Sequence, residues 1–150
     1  MMHDKLTTFA KATALNTGGA GTYLVGDVID LQSSTDIGQG HPLFLVLNIK
    51  TTATSGGAAT AVFSLASDAQ AAIATNGTAT VHVASGVRAL ASMSAGSNVM
   101  KVIIPMEGNV YERYVGILQT TAGAAFTGGT IDAFLTINPS GWKALPEGMN

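Results

Sequence analysis

From Asp27 to Ile137 the sequence is a chain of short apolar and β-branched runs, each ended by Gly, Asn, Asp or Ser, and that punctuation excludes most folds. Eight candidate strands follow from it: residues 27–31, 43–50, 59–67, 78–84, 87–93, 99–105, 112–120 and 129–137. In the second, Leu43, Leu45, Leu47 and Ile49 share one face while Phe44 and Val46 take the other, which predicts a central strand covered on both sides. In the third, Ala61, Phe63 and Leu65 alternate with Thr60, Val62 and Ser64, which predicts one buried face and one that meets solvent or a partner. Ser55-Gly56-Gly57 and Asn76-Gly77 supply the backbone freedom that tight turns require. Eight short antiparallel strands in one stretch predict an all-β, two-sheet sandwich, with a jelly roll as the natural eight-strand arrangement and an immunoglobulin-like sandwich as the alternative.

The flanks read differently. Residues 1–26 are rich in Thr and Ala and run into Thr17-Gly18-Gly19-Ala20-Gly21, which predicts an N-terminal arm with at most a short helix around Leu6 and Phe9. Residues 139–150 open on Pro139-Ser140-Gly141 and carry the single tryptophan, Trp142, in a short C-terminal tail. Between them, residues 27–138 form the sandwich domain. Within it, residues 68–75 are the one place where helical propensity could win, for a turn or two.

Composition narrows the function. The chain has 150 residues and no cysteine, so its core must stand without disulfides, and thiol chemistry is excluded. Only 11% of residues are charged, against roughly 25% in ordinary soluble domains. A surface made of Ala, Thr, Ser and Gly instead of Lys and Glu points to an assembly component that spends its life against other protein. A net charge of −2 with scattered basic residues argues against nucleic acid, and no apolar run is long enough to span a bilayer as a helix. The N-terminus has no leucine-rich signal core, which predicts a chain made and kept in a cytoplasm.

Candidate chemistry is sparse. His3, His41 and His82 stand singly, with none of the paired spacing of a metal centre. Asp27, Asp30 and Asp36 form the only acidic cluster; calcium binding is the sharp reading, and turn capping with pairing to an arginine is the one favoured, because no Asp-rich calcium loop is present. Gly38-Gln39-Gly40 lacks a dinucleotide loop's further glycine, and no serine sits in a nucleophile elbow. Neither an enzyme, a cofactor nor a metal is expected. Arg113, in Glu112-Arg113-Tyr114, is expected to be half-buried and paired with Asp30, Asp36 or Asp132. Trp142 reads either as an anchor in a partner's pocket or as a plug for one end of the sandwich; Phe9 and Tyr23 in the arm are the other candidate contact residues.

Val28-Ile29-Asp30-Leu31, Asp36-Ile37-Gly38 and Pro42-Leu43-Phe44 are followed by Ser55-Gly56-Gly57-Ala58-Ala59-Thr60 and Val62-Phe63-Ser64-Leu65. Ile104-Pro105, Glu112-Arg113-Tyr114-Val115, Phe126-Thr127-Gly128-Gly129 and Asp132-Ala133-Phe134-Leu135 then complete the series. In this order the blocks, spanning residues 28–137, resemble the capsid cement (decoration) proteins of short-tailed phages like the Bordetella phage. That resemblance implies a jelly roll on the outside of a virion shell of HK97-like major capsid protein. It also implies bridging of adjacent capsomers, self-association as a homodimer or possibly a trimer, and no cofactor. A carbohydrate-binding or adhesin-type sandwich is the alternative; it would need an aromatic platform, for which only Trp142, Tyr23 and Tyr111 are available.

Overall fold

The structure, a computed structural model, describes residues 5–32 and 42–139. The described residues form nine strands in two antiparallel sheets: β1 (Thr8–Ala14), β2 (Gly21–Asp30), β3 (Phe44–Ser55), β4 (Thr60–Asp68), β5 (Thr80–Ala84), β6 (Arg88–Ala89), β7 (Asn98–Ile103), β8 (Tyr114–Ala122) and β9 (Phe126–Thr136). One sheet has the order β1-β9-β3-β7 and the other β2-β8-β4-β5, with β6 continuing β5 along the edge of β4. Successive strands change sheet everywhere except along β4, β5 and β6. With β5 and β6 read as one interrupted strand, this is the eight-stranded jelly roll that the turn pattern predicts.

The segment expected to be an arm belongs to this sandwich. Residues 8–14 and 21–26 are strand, and helix there shrinks to a single 3-10 turn at Lys5–Thr7. Thr7, Thr8 and Thr13 disfavour a longer helix, and Phe9 gains more by entering the core, where it is wholly buried. Phe9 is therefore a core residue and not a contact residue. Two irregularities let β1 fit: its pairing with β9 slips between Ala10 and Thr13, and the amide of Ala12, at φ 48°, donates to Asp132 Oδ1 at 2.6 Å. On the other sheet, β2 slips against β8 between Val25 and Ile29. Gly26 sits in that slip at φ +80° with the Phe9 carbonyl against its Cα, a place with no room for a Cβ.

The core is built from alternating faces. Leu45, Leu47 and Ile49 of β3 with Ile131, Ala133 and Leu135 of β9 meet Phe63 and Leu65 of β4 and Val115 and Ile117 of β8. Each Val, Leu, Ile or Phe among them contributes about 1.5–3 kcal/mol on burial. β3 lies between β9 and β7 and is buried on both faces, Val46 included, as its double apolar pattern predicts.

Three further expectations change. Residues 69–79 contain no helix; Asp68 accepts the amides of Gln70 and Ala74 and turns the chain, and Ile73 lies down on the outer face of the second sheet with Ala66 and Leu118. This layer covers the Ala66 end of the β4 face expected to meet solvent or a partner, while Thr60 and Val62 on that face stay partly exposed. It also explains Gly116, where a Cβ would come within 2.8 Å of Ile73 Cδ1. Finally, the strand expected at 87–93 is only the two-residue β6 followed by a 3-10 turn at Leu90–Ser92, because Met93 turns inward to become core.

Candidate interaction surface

The antiparallel order sorts the connections onto two ends. The end of β2, the start of β3 and the β4–β5 and β7–β8 connections share one end with the start of β1 and the end of β9, as the pairs Thr8↔Phe134, Phe44↔Thr136, Phe44↔Ile103 and Asp30↔Tyr114 require. The chemistry of the described residues is concentrated there, around the β7–β8 loop, residues 104–113.

The base of that loop is a polar cluster inside an apolar wall. Tyr111 is buried, and its hydroxyl donates to the Pro105 carbonyl at 2.9 Å, tying one limb of the loop to the other. Burial pushes its phenol up to about 12, so it remains a donor. The ring stacks on His82 of β5, with centroids 3.7 Å apart and planes at 16°. His82 Nε2 lies 2.7 Å from Ser67 Oγ, and the Glu112 amide donates to that same oxygen at 3.1 Å. Thr80 Oγ1 donates to Glu112 Oε1 at 3.0 Å. Burial holds His82 below the usual imidazole range, against the opposing attraction of Glu112. A serine, a histidine and a carboxylate together invite comparison with a hydrolase. Ser67, however, has no exposed surface and its oxygen is held by a backbone amide, so it cannot meet a substrate carbonyl.

Beside this cluster Arg113 grips Asp30 through both oxygens, Nε to Oδ1 at 2.8 Å and Nη2 to Oδ2 at 2.9 Å, with its guanidinium 4.9 Å above the Tyr114 ring. Arg113, with the Gln32 amide in addition, holds the Asp30 carboxyl below the ordinary carboxylate value. Asp30 is one of the three acids expected to pair with Arg113, and the opposition of Asp30 and Tyr114 across β2 and β8 brings it within reach. The side chains of Arg113 and Asp30 are 47% and 40% exposed, so the pair sits about half in solvent. Asp132 is not a partner of Arg113, being committed to the Ala12 amide on the other sheet. Asp36, His3, His41 and Trp142 lie outside the described residues. Tyr23 is half-buried, donates to the Gly19 carbonyl at 3.0 Å and closes over Gly18, so it shapes the β1–β2 turn. No three His, Asp or Glu side chains among the described residues are grouped to hold a metal.

Above the base the loop is exposed, with Met106 and Val110 flanking a polar tip, Glu107-Gly108-Asn109. Met106 and Val110 are 43% and 69% exposed, and Ile103, Leu6 and Ile137 on adjacent strand ends add to the same end of the sandwich. The remaining large exposed apolar residues among those described, Val81 and Val87, lie along β5 and the break after it. Scattered apolar residues are ordinary on a surface; five gathered at one end of a charge-poor chain are not. Sequence reasoning weighed His82 as a lone metal ligand and Tyr111 as a sugar platform and passed over Ser67, because nothing local signals that a strand histidine will stack on a loop tyrosine 29 positions on.

A protein-family model matches residues 9–135, from Phe9 in β1 to Leu135 near the end of β9, and so covers the whole two-sheet framework. The chain belongs to the Bbp16 family. That name points to a Bordetella phage protein, in keeping with a phage-associated chain and with a component of a virion. No curated protein matches the sequence. In this Bbp16-family chain the matched span takes in the polar base of the β7–β8 loop and the Arg113–Asp30 pair, and it stops just before Ile137 of the apolar rim.

Proposed function

We propose that the protein is a capsid cement subunit, bound on the outside of a phage shell, where it bridges neighbouring copies of the major capsid protein. The observation that carries this reading is the apolar end of the jelly roll, where Met106 and Val110 project from a loop whose base is tied to β4 and β5 by Ser67, His82 and Thr80. A loop held at its base that presents two apolar side chains loses little freedom on docking, which favours binding to a protein pocket. The 11% charge content supports it, since a cement subunit exposes few faces that need Lys and Glu for solubility. Self-association as a homodimer, or a trimer, belongs to the same reading, as does the absence of any cofactor or reaction. Repetition over a lattice lets modest individual contacts hold the shell together.

The test is occupancy on assembled capsids. Met106→Asp with Val110→Asp leaves the sandwich folded by circular dichroism, since both residues are exposed. If the loop is the contact, losing about 1–2 kcal/mol at each anchor weakens binding at least tenfold and lowers the temperature at which the shell opens. Full occupancy and unchanged shell stability in the double variant exclude this end as the capsid-binding surface.

A further inference from the structure

We infer that His82 is a proton-operated latch on the β7–β8 loop, gripping the base of the loop while its imidazole is neutral and releasing it when the ring is protonated. The geometry of Ser67 carries the argument. A hydroxyl has one hydrogen to give and two lone pairs. The Glu112 amide occupies one lone pair at 3.1 Å, and His82 Nε2 stands 2.7 Å away as the acceptor for the hydrogen. Ser67 is fully buried, and no other acceptor for its hydrogen is in range among the described residues. The neutral ring with its proton on Nδ1 is the form that gives the Ser67 hydrogen an acceptor.

Protonation turns Nε2 from acceptor into donor. The serine hydrogen then has nowhere to go inside the protein, and an unmet buried donor is costly. The groups around the ring do not reverse this. Glu112 draws the proton in from the end of the β7–β8 loop, but its carboxylate already accepts from Thr80, and burial outweighs its pull on His82. Tyr111 stacks on the ring as a neutral phenol committed to Pro105. Asp68 follows Ser67 on β4, points to the opposite face and is engaged by the Gln70 and Ala74 amides. Thr80–Ala84 itself carries no charged residue. Because the folded chain holds His82 below its ordinary value of 6.5, the unfolded chain takes up the proton first. The grip is therefore complete above that value and is lost as the pH falls below it. What opens is the footing of the loop that bears Met106 and Val110, so on the cement reading acid weakens attachment; the latch itself does not depend on that reading.

The experiment is an NMR titration of the free 150-residue chain from about pH 7.5 to about pH 5, the range over which histidine changes charge. It follows the His82 ring signals and the exchange protection of the Glu112 amide. The expected result is a His82 midpoint below 6.5, with Glu112 exchange, corrected for intrinsic rates, at least about tenfold faster at the acid end. His82→Gln, which offers Ser67 an acceptor oxygen but cannot titrate, removes this pH dependence. Ser67→Ala leaves the Glu112 amide fast at every pH and serves if the glutamine variant folds poorly. Protection of Glu112 that ignores the titration of His82, or a His82→Gln variant that keeps the wild-type pH dependence, overturns the latch. No capsid is present, so this result and the occupancy assay fail independently.

Discussion

Gln119 holds the backbone of Asn16 from both sides: its Oε1 accepts the Asn16 amide at 3.0 Å, and its Nε2 donates to the Asn16 carbonyl at 3.1 Å. The same Nε2 donates to Thr121 Oγ1 at 2.9 Å. A side chain thus acts as a one-residue strand partner where β1 leaves its sheet for β2, and a fully buried amide is satisfied on both of its polar atoms. Replacing Gln119 with Leu strands an amide and a carbonyl at once. We expect a loss of about 2–3 kcal/mol, which for a domain of this size lowers the melting midpoint by roughly 5–10 °C. A melt within about a degree of wild type would show that water replaces the glutamine without cost.

Gly26, within β2, is where β1 and β2 come closest, against Phe9. Alanine there would adopt a left-handed backbone and drive its Cβ into the Phe9 carbonyl. Gly26→Ala is expected to cost about 3 kcal/mol or more, seen as a lower urea midpoint with an unchanged slope. Gly19→Ala, where nothing lies within 4 Å of the added carbon, is the control and is expected to be near neutral.

Tyr111 makes stability depend on high pH. Its folded value near 12 lies above the ordinary 10.0, so the unfolded chain loses its proton first as the pH rises. The stabilisation is complete below 10.0 and is lost on the way to about 12. Thermal melts across that range should fall for wild type and flatten for Tyr111→Phe. The variant is expected to start about 1 kcal/mol lower at neutral pH, having lost the bond to Pro105.

Arg113→Ala is expected to melt close to wild type in moderate salt, because both partners of the pair are exposed and screened. The small contribution that exists is carried by Asp30, whose carboxyl Arg113 holds below its ordinary value of 3.8. It is therefore present above that pH and fades as the pH falls through the lowered value. A large loss of melting temperature in this variant would mean that the guanidinium supports the β2 and β8 ends in a way its exposure does not suggest.

The β punctuation determined the all-β class, and the doubled apolar pattern of residues 43–50 determined that β3 is central and covered on both sides. Both are local in origin: strand periodicity and turn chemistry are written within a few residues of one another. The pairing of Arg113 with Asp30 was legible as a choice among three acids, and the register of β2 on β8 made the selection. Tertiary structure alone decided the rest. Whether a Thr- and Ala-rich start is an arm or a strand depends on a free edge at β9 and a cavity for Phe9, and neither exists until the sheets form. Ser67, His82, Tyr111 and Glu112 meet across β4, β5 and the β7–β8 loop, and at those separations no spacing rule operates. Hydrogen-bond satisfaction of a buried hydroxyl is a property of the packed interior, and so the proton sensitivity assigned to His82 could not be read from a lone histidine among threonines and valines.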